Sequence, residues 1–322
     1  MLELLAQSPA AFIAVALVLG LLVGSFLNVV IYRLPVMLER QWRADCAQLA
    51  LAPACGSAPA AESSPSQSSP SHLSPSHSSP HLEAPAFNLV APRSTCPACK
   101  AQIKAIHNVP VLSYLALRGR CANCNARISA RYPAVELLSA IATALVAWRF
   151  GVGWAAACGF LVTWFLIALT FIDVDHQLLP DSLTLPLLWL GLVASLTGWS
   201  SRAHSLPADP VSAIAGAAIG YVSLWSVYHG FRLLTGKEGM GYGDFKLLGA
   251  LGAWLGWQML LPIVLLSASV GAIVGVGLII SHRQQRSSPI PFGPYLATAG
   301  WLSLMWGPEM VSRYLGLMAP PH

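Results

Sequence analysis

Long apolar runs alternate with short polar breaks along most of the 322-residue chain. A bilayer-spanning helix takes about 20 predominantly apolar residues. Runs at or approaching that length occur at 9–32, 133–150, 154–172, 182–199, 211–231, 245–257, 259–280 and 292–315. The sixth is short, and its boundary with the seventh at Gly256-Trp257-Gln258 is soft. Gly and Pro within such runs are tolerated in a membrane bundle. Gly20 and Gly24, and Gly271, Gly275 and Gly277, are small enough to let helices approach closely. The pattern predicts an all-α polytopic membrane protein of about eight transmembrane helices.

Composition agrees with that reading. The chain is 55% hydrophobic and 10% charged, with a mean hydropathy of +0.61, whereas soluble domains carry about 25% charged residues. The net charge of +5 is modest, and no basic stripe interleaved with aromatics points to a nucleic-acid partner. No Lys or Arg precedes the first apolar run, so 9–32 reads as a retained helix rather than a cleaved leader. With the N-terminus outside, the inside loops are 33–132, 173–181, 232–244 and 281–291. All but Arg149, Arg202 and Arg313 of the 18 Lys and Arg residues then lie in or beside those loops, as the positive-inside rule requires. An even number of spans places both termini outside.

The stretch 33–132 is the one sizeable polar segment between spans. Its middle, about 56–86, is a degenerate Ser/Pro/His tract that cannot bury a core and is expected to be disordered. Its His72, His77 and His81 have no rigid frame and read as part of a polar spacer rather than a metal site. Residues 93–132 look compact. There Cys96-Pro97-Ala98-Cys99 and Cys121-Ala122-Asn123-Cys124 form two CxxC pairs. Each supplies two thiolates from a tight turn, and together they complete a closed tetrahedral site of structural zinc type. Charge places the loop in the cytosol, where thiols stay reduced, so disulfides are disfavoured. Cys46, Cys55 and Cys158 follow no partner pattern.

Acidic residues at membrane helix ends are candidates for function. Asp173, Asp175 and Asp181 lie just after the third span, and Asp244 opens the sixth. Charge topology puts all four on one face. Two carboxylates sharing a proton divide acid and base work: one takes a proton from water, the other donates to the carbonyl under attack. Asp181 follows Pro180 before an apolar run and reads as a helix N-cap; Asp244 could cap the sixth span in the same way. Asp173 and Asp175 are two residues apart and would not share a helix face. His176 reads as an interfacial side chain. Gly239, Gly241 and Gly243 loosen the backbone before Asp244 but lack the strand and GK[ST] of a phosphate loop.

Together these residues resemble the bacterial prepilin peptidases, the GxGD class of membrane aspartyl proteases. Gly24-Ser25-Phe26-Leu27-Asn28 through Arg33-Leu34-Pro35 is similar to the family's first-helix signature. The two CxxC pairs, Asn108-Val109-Pro110 and Arg131-Tyr132-Pro133 with Glu136 resemble its cytosolic domain. Phe171 to Pro186 resembles the segment of the first catalytic aspartate, and Gly241-Tyr242-Gly243-Asp244 the GxGD motif of the second. The Ser/Pro/His insertion departs from the common pattern. The resemblance implies Asp173 and Asp244 as the catalytic pair, with Asp175 as the alternative first acid, and Gly241, Gly243, Pro180 and Asp181 as supporting motif positions. It selects Asp173 because the family's first aspartate stands at that spacing from the Leu-Pro pair. It also implies removal, after a glycine, of the basic leader of type IV prepilins or type II secretion pseudopilins, and methylation of the new N-terminus from S-adenosylmethionine. The expected organisation is a first helix at 9–32, a cytosolic loop at 33–132 carrying the zinc module at 93–132, and a seven-helix protease core at 133–315 in the bacterial inner membrane. A transporter would show repeats and midplane acids. A zinc-domain scaffold without enzymatic activity would leave the aspartates unexplained.

Overall fold

A computed structural model describes residues 7–51, 87–90, 95–96, 98–102, 109–197, 206–237, 239–280 and 291–318. The tract at 56–86 and Cys55 lie outside them. The chain is helical: α1 (Pro9–Leu51), a short α2 (Leu112–Ala116), α3 (Arg131–Phe150), α4 (Trp154–His176), α5 (Asp181–Leu196), α6 (Pro210–Thr235), α7 (Tyr242–Leu255), a 3-10 turn (Trp257–Met259), α8 (Leu260–Ile280) and α9 (Gly293–Met318). Among the described residues there is no strand, and extended pairing is confined to the bridges Thr95–Gln102 and Arg120–Arg127.

Among the described residues, five helices are long and apolar enough to cross a membrane: Pro9–Ala50, Arg131–Phe150, Trp154–His176, Pro210–Thr235 and Trp257–Leu278. α5 is apolar but has 16 residues and α7 has 14, both short of the roughly 20 that a span takes. The first helix does not stop at 32 but runs to Leu51 with Pro35 inside. A proline removes one backbone donor and is borne within an otherwise favourable helix. Beyond it, helix formers and the Glu39–Arg43 pair at i, i+4 (2.5 Å) continue the helix.

Packing divides the bundle. α1 crosses α3 so closely that a Cβ on Gly24 would lie 2.8 Å from the Glu136 Cα. Leu27, Val30 and Ile31 there meet Val135, Ala142, Ile167 and Ile172. α7 is the interior helix of the other half: Phe245, Leu247, Leu248 and Leu251 are fully buried, and Trp254 donates to the Leu187 carbonyl at 2.8 Å. Gly216 of α6 and Gly252 of α7 face each other with no room for a Cβ on either, a small-residue crossing not singled out in the sequence. Gly277, expected to serve such an approach, has no described residue within 4 Å of where a Cβ would stand, and Gly271 is in ordinary contact with Tyr295. α9 packs against both α4 and α7 and joins the halves. The outward faces of α6 and α8 are lined with exposed Val, Ile and Leu, as suits contact with lipid.

Candidate active site

Asp173 sits in the last turn of α4. That helix closes on Gln177 in a left-handed conformation (φ 51°), whose amide donates to the Asp173 carbonyl at 2.9 Å. Pro180, three residues on, cannot extend the helix and starts α5 from an extended conformation. Asp244 is the third residue of α7, whose N-cap is Gly241. Both aspartates are only 5% exposed. Their carboxyl groups are close enough to act on each other electrostatically, and backbone amides of Gly293 and Gly241 face Asp173 and Asp244 respectively. Asp173 Oδ2 and Asp244 Oδ1 accept no hydrogen bond from the described residues. A buried carboxylate oxygen without a donor marks a place for a proton or a water.

Leu179 and two glycines set the gap between the acids. A Cβ on Gly243 would lie 2.5 Å from the Leu179 Cβ. One on Gly293, the first residue of α9, would lie 2.6 Å from Asp173 Oδ2 and 3.1 Å from Leu179 Cδ1. Gly293 escaped the sequence reading. The available signal was a proline-flanked glycine, Phe292-Gly293-Pro294, at the start of an apolar helix on the face that charge assigns to the aspartates.

The other acids are employed elsewhere. Asp175 is exposed and holds Arg131 in a two-point ion pair, with Nη1 to Oδ1 at 2.8 Å and Nη2 to Oδ2. Asp181 does not cap α5: it is the first helical residue after the Pro180 cap, with no side-chain cap bond. Its two oxygens instead accept from Lys246 Nζ at 2.6 and 2.7 Å. The capping role considered for Asp244 also fails, because Gly241 is the cap and no side chain bonds there. His176 is exposed in the last turn of α4.

The cysteines form a separate centre. Cys96 and Cys121 each open a turn of the same design: their amides donate to Ala101 and Ala126 (2.9 Å each), and their carbonyls accept from Lys100 (2.9 Å) and Asn125 (3.0 Å). Lys100 and Asn125 are both left-handed, at φ 58° and 55°. The four sulfurs of Cys96, Cys99, Cys121 and Cys124 lie within 4.8 Å of one another. Side-chain donation from Asn123, with the Ala101 amide, brings the Cys99 thiol down to about 6, and amides of Cys124 and Asn123 lower Cys121. Cys124 moves the other way, up to about 11, so it is the gathering of four sulfurs at one point that fits a closed four-sulfur site. Cys46 is exposed and Cys158 buried, both free. The module's segment is tied to the bundle where Glu136 of α3 accepts from the Val111 amide at 2.8 Å, and α1 meets the start of α3 where Asn28 donates to the Tyr132 carbonyl at 3.0 Å.

Comparison with known proteins gives a consistent picture. Residues 18–150 match the bacterial peptidase A24 N-terminal domain, and residues 160–276 match the type IV leader peptidase family. The chain is 50% identical over 313 residues to a prepilin leader peptidase/N-methyltransferase of Stutzerimonas stutzeri, covering 97% of each chain. It is 48% identical over 315 residues to proteins of the same name from Aeromonas hydrophila (98% of each) and Pseudomonas aeruginosa (98% of this chain, 97% of the relative). No solved structure matches.

Proposed function

The chain belongs to the type IV leader peptidase family, and from that premise we propose that Asp173 and Asp244 cut the leader from type IV prepilins or type II secretion pseudopilins after a glycine. The same enzyme then methylates the new N-terminus. The observation that supports the peptidase reading is two buried carboxyl groups from α4 and α7 within electrostatic reach of each other, each with an oxygen that accepts from no donor among the described residues.

The chemistry follows from two acids holding one proton between them. The ionised carboxylate removes a proton from a water molecule, whose oxygen attacks the scissile carbonyl carbon. The protonated partner gives its proton to the carbonyl oxygen. The tetrahedral intermediate collapses with cleavage of the C–N bond, and a proton passes to the departing amine. The acids titrate as a unit, so the roles belong to the pair. Burial strengthens each electrostatic interaction by excluding bulk water.

The four cysteines would hold Zn2+, which would cross-link the two turns and supply rigidity rather than a catalytic step. S-adenosylmethionine is the methyl donor that the relatives' name implies; no residue is assigned to it. In this reading α1 and α3 to α9 all span the bacterial inner membrane: α7 is enclosed by its neighbours, while α5 turns Leu185, Trp189, Val193 and Leu196 outward. Both termini are periplasmic and the dyad faces the cytosol. Support comes from the contacts Arg131–Asp175, Asp181–Lys246 and Gly293–Asp173. All three join helix ends that strict alternation of eight spans puts on one side.

The test is co-expression of a prepilin with wild type, Asp173→Asn, Asp175→Asn and Asp244→Asn, with products weighed by mass spectrometry. Loss of leader removal in the first and third variants is expected, and an added methyl group on the wild-type product. Normal cleavage by all three variants in a host lacking other prepilin peptidases would leave a zinc-domain scaffold as the better reading.

A further inference from the structure

Two ion pairs flank the dyad with one layout. Arg131, the first residue of α3, donates to Asp175 through Nη1 and Nη2, and its Cζ lies 5.3 Å from the ring centroid of Phe171. Phe171 and Asp175 stand two residues before and after Asp173. Lys246, two residues after Asp244, donates to both oxygens of Asp181, the first residue of α5. Each buried aspartate is therefore followed two positions later by a charged group tied to the opening residue of a neighbouring helix.

A helix turns about 100° per residue, so positions i and i+2 point to nearly opposite sides. The aspartates face the interior, while Asp175 and Lys246 reach the rim, where the four partners are 39% (Arg131), 26% (Asp175), 27% (Lys246) and 56% (Asp181) exposed. From the rim these groups do not touch the reacting atoms. They do fix the rotation and depth of the α4 last turn and the α7 first turn, which set the separation of the two carboxyl groups. α4 and α7 have little direct packing and are joined mainly through α9 and α5, so their relative rotation at the dyad is set through intermediaries and by contacts at the rim.

We propose that Arg131–Asp175 and Asp181–Lys246 are positioning pairs that set the distance between the catalytic carboxyls. Arg131, which follows the cysteine module directly in the chain, transmits the module's placement to Asp173. This inference rests on the dyad assigned above. Partly exposed pairs add little to global stability, whereas small displacements of reacting groups cost rate steeply, so the effect should appear in turnover and not in folding.

The experiment uses the purified full-length enzyme and a prepilin, measuring kcat, KM and the thermal midpoint. The variants are Asp175→Asn, Arg131→Gln, Asp181→Asn and Lys246→Met, with the double variant of each pair. Each single variant should lower kcat about tenfold and leave KM within about twofold, since orientation rather than binding is disturbed. Each double should be no worse than its worse single, because the two partners act as one unit. The thermal midpoint should move by no more than about 2 °C. Turnover within about twofold of wild type in every variant overturns the proposal. So do effects that multiply within a pair, or losses of kcat that track a lost thermal transition. Asp173→Asn and Asp244→Asn run alongside: inactivity there keeps the dyad whatever the pairs do, and normal cleavage there removes the dyad and this inference together.

Discussion

The cysteine module and the aspartate pair are assembled by opposite routes. The module's four ligands come from two short turns of matching backbone geometry, near each other in the chain and close to the surface. The aspartates are 71 positions apart, on helices with little direct packing, and Gly293 of α9 and Leu179 crowd the Asp173 carboxyl and the turn that carries Asp244. A local site can be disrupted locally. A site made by packing is sensitive to any atom that alters how the helices meet.

The sharpest way to test that contrast is to remove one acid. Asp244→Asn or Asp173→Asn should lower prepilin cleavage by about 1,000-fold or more in a purified assay, because neither remaining group can divide acid and base work alone. Next comes Gly293→Ala, which places a carbon 2.6 Å from Asp173 Oδ2. It should lower kcat about 10- to 100-fold, while size-exclusion profiles of the detergent-solubilised enzyme stay unchanged. Wild-type turnover by this variant would mean that the gap between the acids is not sterically set by α9.

Metal removal should hurt the module more than the dyad. Chelation is expected to release one zinc ion per chain and expose the 93–132 segment to limited proteolysis, because such sites lose their fold with the metal. Leader cleavage should fall by less than about tenfold, the share carried through Arg131. A collapse of cleavage equal to that of Asp244→Asn would erase the distinction between the two regions. The smallest effect belongs to Cys46→Ser. This exposed thiol on the α1 extension should leave metal content and cleavage unchanged and stability within about 0.5 kcal/mol.

Much of this protein is written in its linear pattern. Each of the eight apolar runs falls on a helix, five of them long and apolar enough to cross a membrane, because hydrophobic periodicity and length are local properties. Both CxxC pairs carry their own turn geometry, and the GxGD stretch marks the start of α7. What the pattern misjudged was decided by neighbours. The first apolar run ends at 32, yet its helix continues through Pro35 to Leu51. Asp181 looked like a cap, yet Lys246 from a helix 65 positions away takes its carboxylate. Asp173 and Asp175 are the same residue type in the same turn. Only tertiary packing makes one a buried acid beside Asp244 and the other a surface partner of Arg131. The sequence determined which segments are helical and which cysteines can gather around a metal, since these depend on composition and short spacing. Tertiary structure alone decided which acids meet and which glycine makes room for them, since those depend on distances between helices that no local pattern encodes.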